Sequence, residues 1–134
     1  AKRLAGKEAR LEFDPAALVE NVLSREGEFC RVAEYLSQCE DVFYLGSGVD
    51  EALAREGSLK LKEISYIHAE ACPMGELKHG SLSLIGPGMP CVLLATRRET
   101  LGRALAASEE IRSRKGYVIL IVPEDAEVGA EVAD

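Results

Sequence analysis

Moving a proton between adjacent carbons needs a base, a neighbour that stabilises developing charge, and a scaffold holding both in place. The stretch from Glu56 to Leu84, EGSLKLKEISYIHAEACPMGELKHGSLSL, gathers Lys60, Lys62, Glu63, His68, Glu70, Glu76, Lys78 and His79 into less than a quarter of the chain. Spacing predicts a helix from about Glu51 to Ile64 with Leu53, Gly57, Leu61 and Ile64 on its inner face. Glu56, Lys60 and Glu63 border that stripe, partly sheltered by the sheet edge, and Lys62 points to solvent. Glu63 is then a candidate general base, with Lys60 stabilising negative charge. The same residues also describe an ordinary solvated helix carrying a Glu56–Lys60 ion pair. His68 is read as a packed or hydrogen-bonded histidine. His79 is the better acid–base candidate, because imidazole titrates near neutral pH and Gly80 lets the backbone bend beside it.

The elements that must position these groups are legible on either side. Asp14-Pro15 is a helix start, and Leu18, Val22, Phe29, Val32 and Leu36 mark one face of one helix, or of two divided near Ser24 and Gly27. Val42–Leu45 is a buried strand that ends in Gly46-Ser47-Gly48. That turn can cradle an anion and is a candidate substrate contact; it is equally a turn that sterics alone require. Ser65–Glu70 leaves the central helix and runs extended past the sheet, and Met74–Leu77 makes a helical turn. Cys91–Ala95 is a second strand. Thr96-Arg-Arg-Glu99 reads as a capping box opening a helix with Leu101, Ala104, Leu105, Ser108 and Ile111 inward and Gly116 as its C′ residue. Tyr117–Val122 is a third strand. Apolar strands alternating with amphipathic helices imply an α/β fold with a parallel sheet covered on both faces, and ligands at the carboxyl ends of its strands. Residues 1–13 read as the tail of a preceding segment, and Glu124 onward alternates without completing a strand.

Composition sets outer bounds. The chain has 134 residues, 47% hydrophobic and 29% charged, as expected of one globular domain. A net charge of −7 argues against nucleic acid or anionic membrane as partner, but not against a small anion. No apolar run reaches membrane-spanning length. The four cysteines at 30, 39, 72 and 91 fit neither a zinc pattern nor a C-x-x-C motif, so no metal and no cofactor is expected, and reduced thiols fit a cytoplasmic location. Cys30 and Cys91 read as core filler; Cys72, in the charged loop, is a candidate reactive thiol.

The run EGSLKLKEISYIHAEACPMGELKHGSLSLI closely resembles the isomerase part of the glutamine–fructose-6-phosphate aminotransferases, which contains two sugar-isomerase (SIS) domains in tandem. The resemblance covers roughly residues 14–123. It implies a three-layer αβα fold of flavodoxin-like type, truncated at both ends, with 14–134 as the second SIS domain lacking its last strand and C-terminal tail. It implies a phosphorylated sugar as ligand, fructose 6-phosphate becoming glucosamine 6-phosphate with ammonia from glutamine, and an isolated segment without synthase activity. It assigns Glu63 to proton transfer between C1 and C2, Lys60 to assistance at C1 and O1, and His79 to ring opening in the neighbouring subunit of a homodimer. Ser58 stands where the family has Ala. Ser81 stands in place of Pro, which is expected to loosen the His79 loop. Two alternatives stay open: a SIS-type amino-sugar-phosphate deaminase or deglycase, and a sugar-phosphate-sensing module without catalysis.

Overall fold

The computed structural model describes residues 13–126 and 128. Of the tail predicted at 1–13 only residue 13 is described, and most of the segment after Glu124 lies outside the described residues. The chain divides into two compact units, 1–35 and 36–134. In the first, α1 (Pro15–Ser24) starts as the sequence predicts: Asp14 Oδ1 accepts the Ala16 N–H at 2.9 Å and Pro15 holds the first helical position. The helix breaks at Arg25 and α2 (Glu26–Leu36) follows. Of the predicted apolar face, Leu18, Val22 and Phe29 are exposed and Leu36 is buried. Cys30 is exposed as well, so it is not core filler.

The second unit is built on β1 (Asp41–Gly46), α3 (Val49–Ser65), β2 (His68–Pro73), two 3₁₀ turns (Met74–His79 and Ser81–Leu84), β3 (Pro90–Leu94), α4 (Arg98–Ser113) and β4 (Tyr117–Ile121). All strand pairs are parallel and the order is β2-β1-β3-β4, the flavodoxin-like sequence of strands. The segment expected to run past the sheet is in fact its edge strand: β2 pairs with β1 along its length, Asp41 opposite His68 and Gly46 opposite Pro73. Its sequence, HAEACP, buries only the small Ala69 and Cys72, one on each face, and exposes His68 and Glu70, so it lacks the continuous apolar run that marks the other three.

Side-chain alternation assigns the layers. Phe43 and Leu45 join Met74, Leu77, Ile85, Cys91, Leu93, Ala104 and Ile111 in one core cluster, so the 3₁₀ turns and α4 cover that face. Tyr44 points the other way, against Gly57 of α3. Helix α3 buries Asp50, Ala54 and Ser58, while Leu53 and Ile64, predicted inside, are exposed. The inner face is thus rotated by roughly 50° from the one that hydrophobicity suggests. Small side chains let the helix approach: a Cβ on Gly57 would stand 3.0 Å from the Tyr44 ring.

The capping box is also not what forms. Arg97 is the N-cap residue of α4 and makes no side-chain cap, because the Thr96 hydroxyl is engaged elsewhere. At the far end Lys115, not Gly116, takes the left-handed C′ conformation (φ 64°). The Gly116 N–H reaches back to Ile111 O at 3.0 Å and that of Lys115 to Arg112 O at 2.8 Å, a Schellman closure. Gly116 is required for space: a Cβ there would fall 2.6 Å from Ile111 Cγ2 and 2.8 Å from Ile85 Cγ2.

Cys72 is buried in β2 rather than exposed in a loop, and Cys91 is buried in β3. Burial pushes the Cys91 thiol from 9.0 up to about 12, with the nearby Cys72 adding to it. Burial raises Cys72 and the Tyr44 hydroxyl too. An unfolded chain therefore releases these protons at lower pH than the folded one, so the stability they contribute is fully present below about pH 9 and declines above it. Urea unfolding should show a midpoint falling between pH 8.5 and 10.5, less steeply in Cys91→Ala. At pH 8 a thiol reagent should modify Cys30 in the native chain and reach Cys72 and Cys91 only after unfolding.

Candidate active site

Helix α3 puts Lys60 and Glu63 one turn apart, and the rotation of its buried face carries both to the surface. Lys60 Nζ donates to Glu63 Oε2 at 2.7 Å and stands 3.7 Å from Glu56 Oε1. The side chains of Lys60 and Glu63 are 53% and 50% exposed, so the expected shelter from the sheet edge is absent in this chain. The hydrogen bond and charge of Glu63 hold the Lys60 ammonium above the usual lysine range. Lys62 is exposed, as expected. The Tyr66 N–H closes the helix on Lys62 O at 3.1 Å, with Tyr66 itself left-handed (φ 63°).

His79 ends the first 3₁₀ turn, exposed, and among the described residues it makes no hydrogen bond or ion pair. It belongs to the layer opposite α3, so the sheet stands between it and the Lys60–Glu63 pair. The structure brings together two of the three predicted residues and leaves the third apart. His68 is hydrogen-bonded as anticipated, Nδ1 to Asp41 Oδ1 at 2.6 Å. It lies beside a cleft of about 210 Å³ at the amino ends of the strands.

Gly46-Ser47-Gly48 lies at the carboxyl end of β1, where the chain turns towards β2 on one side while β3 leads to β4 on the other. Such a switch point is the usual ligand crevice of doubly wound sheets. Both glycines have steric duties. A Cβ on Gly46 would fall 2.2 Å from Asp50 O, and Gly48 is left-handed at φ 62°. Across this crevice lies a contact that sequence reasoning missed. Asp50 is fully buried; its Oδ1 accepts from Thr96 Oγ1 at 2.5 Å and its Oδ2 from Thr96 N–H at 3.2 Å and Thr100 Oγ1 at 3.1 Å. An Asp in the first turn of a helix signals only a favourable dipole, and nothing in the sequence points to threonines 46 and 50 residues away.

A SIS domain family model matches residues 35–134. The chain belongs to the SIS domain family. Over 110 residues this SIS domain is 47% identical to the glutamine–fructose-6-phosphate aminotransferase (isomerizing) of Thermus thermophilus, an alignment covering 82% of this chain and 18% of that protein. The C-terminal domain of the glucosamine-fructose-6-phosphate aminotransferase from Francisella tularensis superposes with a TM-score of 0.76 at 45% identity, covering 81% of this chain and 30% of that one. The tagatose-6-phosphate ketose/aldose isomerase of Escherichia coli shares the fold, with a TM-score of 0.64 at 18% identity, over 85% of this chain and 32% of that one. The SIS domain thus spans about a fifth of the length of the curated relatives it matches.

Two substitutions test the switch-point geometry by urea unfolding. Gly46→Ala should cost about 3 kcal/mol or more, because its Cβ meets helix backbone that cannot step aside. Asp50→Ala should cost about 3 kcal/mol, leaving the Thr96 hydroxyl and N–H without their acceptor while Thr100 keeps Arg97 O at 2.9 Å.

Proposed function

We propose that this SIS domain, the second of two, supplies part of the isomerase site of a glutamine–fructose-6-phosphate aminotransferase, which makes glucosamine 6-phosphate from fructose 6-phosphate and glutamine-derived ammonia. The observation that carries the reading is the 2.7 Å Lys60–Glu63 contact, presented to solvent on α3 in a chain 47% identical to an aminotransferase of that name. Glu63 takes a proton from C1 of the imine formed at C2. The C–H electron pair moves into a C1–C2 double bond and the imine nitrogen gains a proton. Return of the proton to C2, with loss of the O1 proton, leaves an aldehyde at C1 and an amine at C2. Lys60, kept protonated by Glu63, stabilises negative charge at O1.

His79 opens the sugar ring, giving a proton to the ring oxygen as the anomeric hydroxyl loses one. Its place across the sheet from Lys60 and Glu63 favours action in the site of a neighbouring subunit, with a homodimer as the working unit. Within Gly46-Ser47-Gly48, Ser47 is the member left to touch the sugar, since the glycines serve the turn. Among the described residues no helix is long and apolar enough to cross a membrane; a cytoplasmic location belongs to the same reading, supported by the four free cysteines.

In the complete enzyme, Glu63→Gln should lower sugar isomerisation by about 10³-fold and abolish solvent hydrogen exchange at C1, the scale of a lost general base. Mixing Glu63→Gln and His79→Asn subunits discriminates the arrangement. If His79 works across the dimer, mixed dimers regain one intact site and activity returns. If mixing restores nothing while each variant still dimerises, the shared site is wrong.

A further inference from the structure

The His79 side chain is exposed and among the described residues makes no hydrogen bond or ion pair, yet the backbone on both sides of it is pinned. Two residues before it, Leu77 is fully buried beneath α4. Immediately before it, Lys78 Nζ meets Glu110 Oε1 of α4 at 2.7 Å. Immediately after it, Gly80 adopts φ 148°, ψ −60°, and its carbonyl accepts both the Ser83 N–H at 2.9 Å and the Ser83 hydroxyl at 2.6 Å. Ser81, next in the chain, is half-buried. Ordering a surface loop costs conformational entropy that an idle side chain would not need, and a catalytic imidazole reaching out of its own domain does need it.

We infer that Lys78 is a positioning residue for His79, fixing the loop to α4 through Glu110. The inference rests on the reading of His79 as a reaching acid–base group, but its test does not measure turnover. The chain has only two histidines, and His68, held by Asp41, serves as an internal reference in the same spectrum.

The experiment is NMR of the histidine-labelled 134-residue chain, following imidazole relaxation at His79 against His68 together with amide exchange over residues 77–80. Lys78→Ala should sharpen the His79 resonance relative to His68 and speed exchange there by up to about fivefold, the most that a largely exposed ion pair supports. The charge reversal Lys78→Glu with Glu110→Lys should restore both. Unchanged His79 relaxation and exchange in Lys78→Ala would overturn the inference; so would a charge reversal that restores nothing. If His79→Asn proved fully active in the complete enzyme, the catalytic reading would fail while these measurements still decided whether the loop is pinned.

Discussion

The buried carboxylate of Asp50 is the constraint on which the arrangement turns. A charge removed from water is costly unless donors replace its hydration. Among the described residues Asp50 has no ion pair, and its replacement shell is two threonine hydroxyls and one backbone N–H. Those donors come from the end of β3 and the first turns of α4, whereas Asp50 belongs to the first turn of α3. One side chain therefore ties the two outer layers together across the open end of the sheet. It also keeps the first turn of α3 packed on Gly46, where no side chain fits. The direction of α3, and with it the placement of Lys60 and Glu63 about three turns further on, follows from this junction.

The layer arrangement has a consequence for chemistry. Parallel β–α–β connections keep one hand, so a chain that winds first one way and then the other must place its helices on opposite faces. Here α3 covers one face, and the 3₁₀ turns with α4 cover the other. The acid–base groups are divided accordingly, Lys60 and Glu63 in one layer and His79 in the other. Each set is rigidly carried and each faces outward. A proton-transfer pair half open to water lacks the exclusion of solvent that strengthens electrostatic catalysis. In the proposed reading that exclusion comes from the rest of a longer enzyme and its symmetry mate, and the domain contributes a surface rather than an enclosed pocket.

Much of the fold is legible in the order of residues. Asp14-Pro15, the glycine-terminated β1 and the apolar runs of β3 and β4 announce themselves by local chemistry, and the structure agrees with each to within a residue or two. The Lys60–Glu63 contact is equally local, because two residues at i,i+3 meet on any α-helix. What fails does so for non-local reasons. The edge strand β2 escapes notice because it buries only Ala69 and Cys72 between exposed polar residues and shows no continuous apolar run. The inner face of α3 is misjudged because close approach to Tyr44 favours Ala54, Gly57 and Ser58 over Leu53 and Ile64. Thr96 looks like a cap until Asp50 claims its hydroxyl.

The sequence by itself determined the helices and the strands β1, β3 and β4, that the sheet is parallel, and which residue types stand one helical turn apart, because each follows from interactions within a few residues. It also carried the family, since the run from Glu56 to Leu84 is long and specific. Only the tertiary structure decided which way α3 faces, that β2 joins the sheet, that Cys72 is buried and that His79 lies across the sheet from Glu63. Those outcomes depend on contacts between residues far apart in the chain, where packing volume and the demand of a buried carboxylate for donors override local preference.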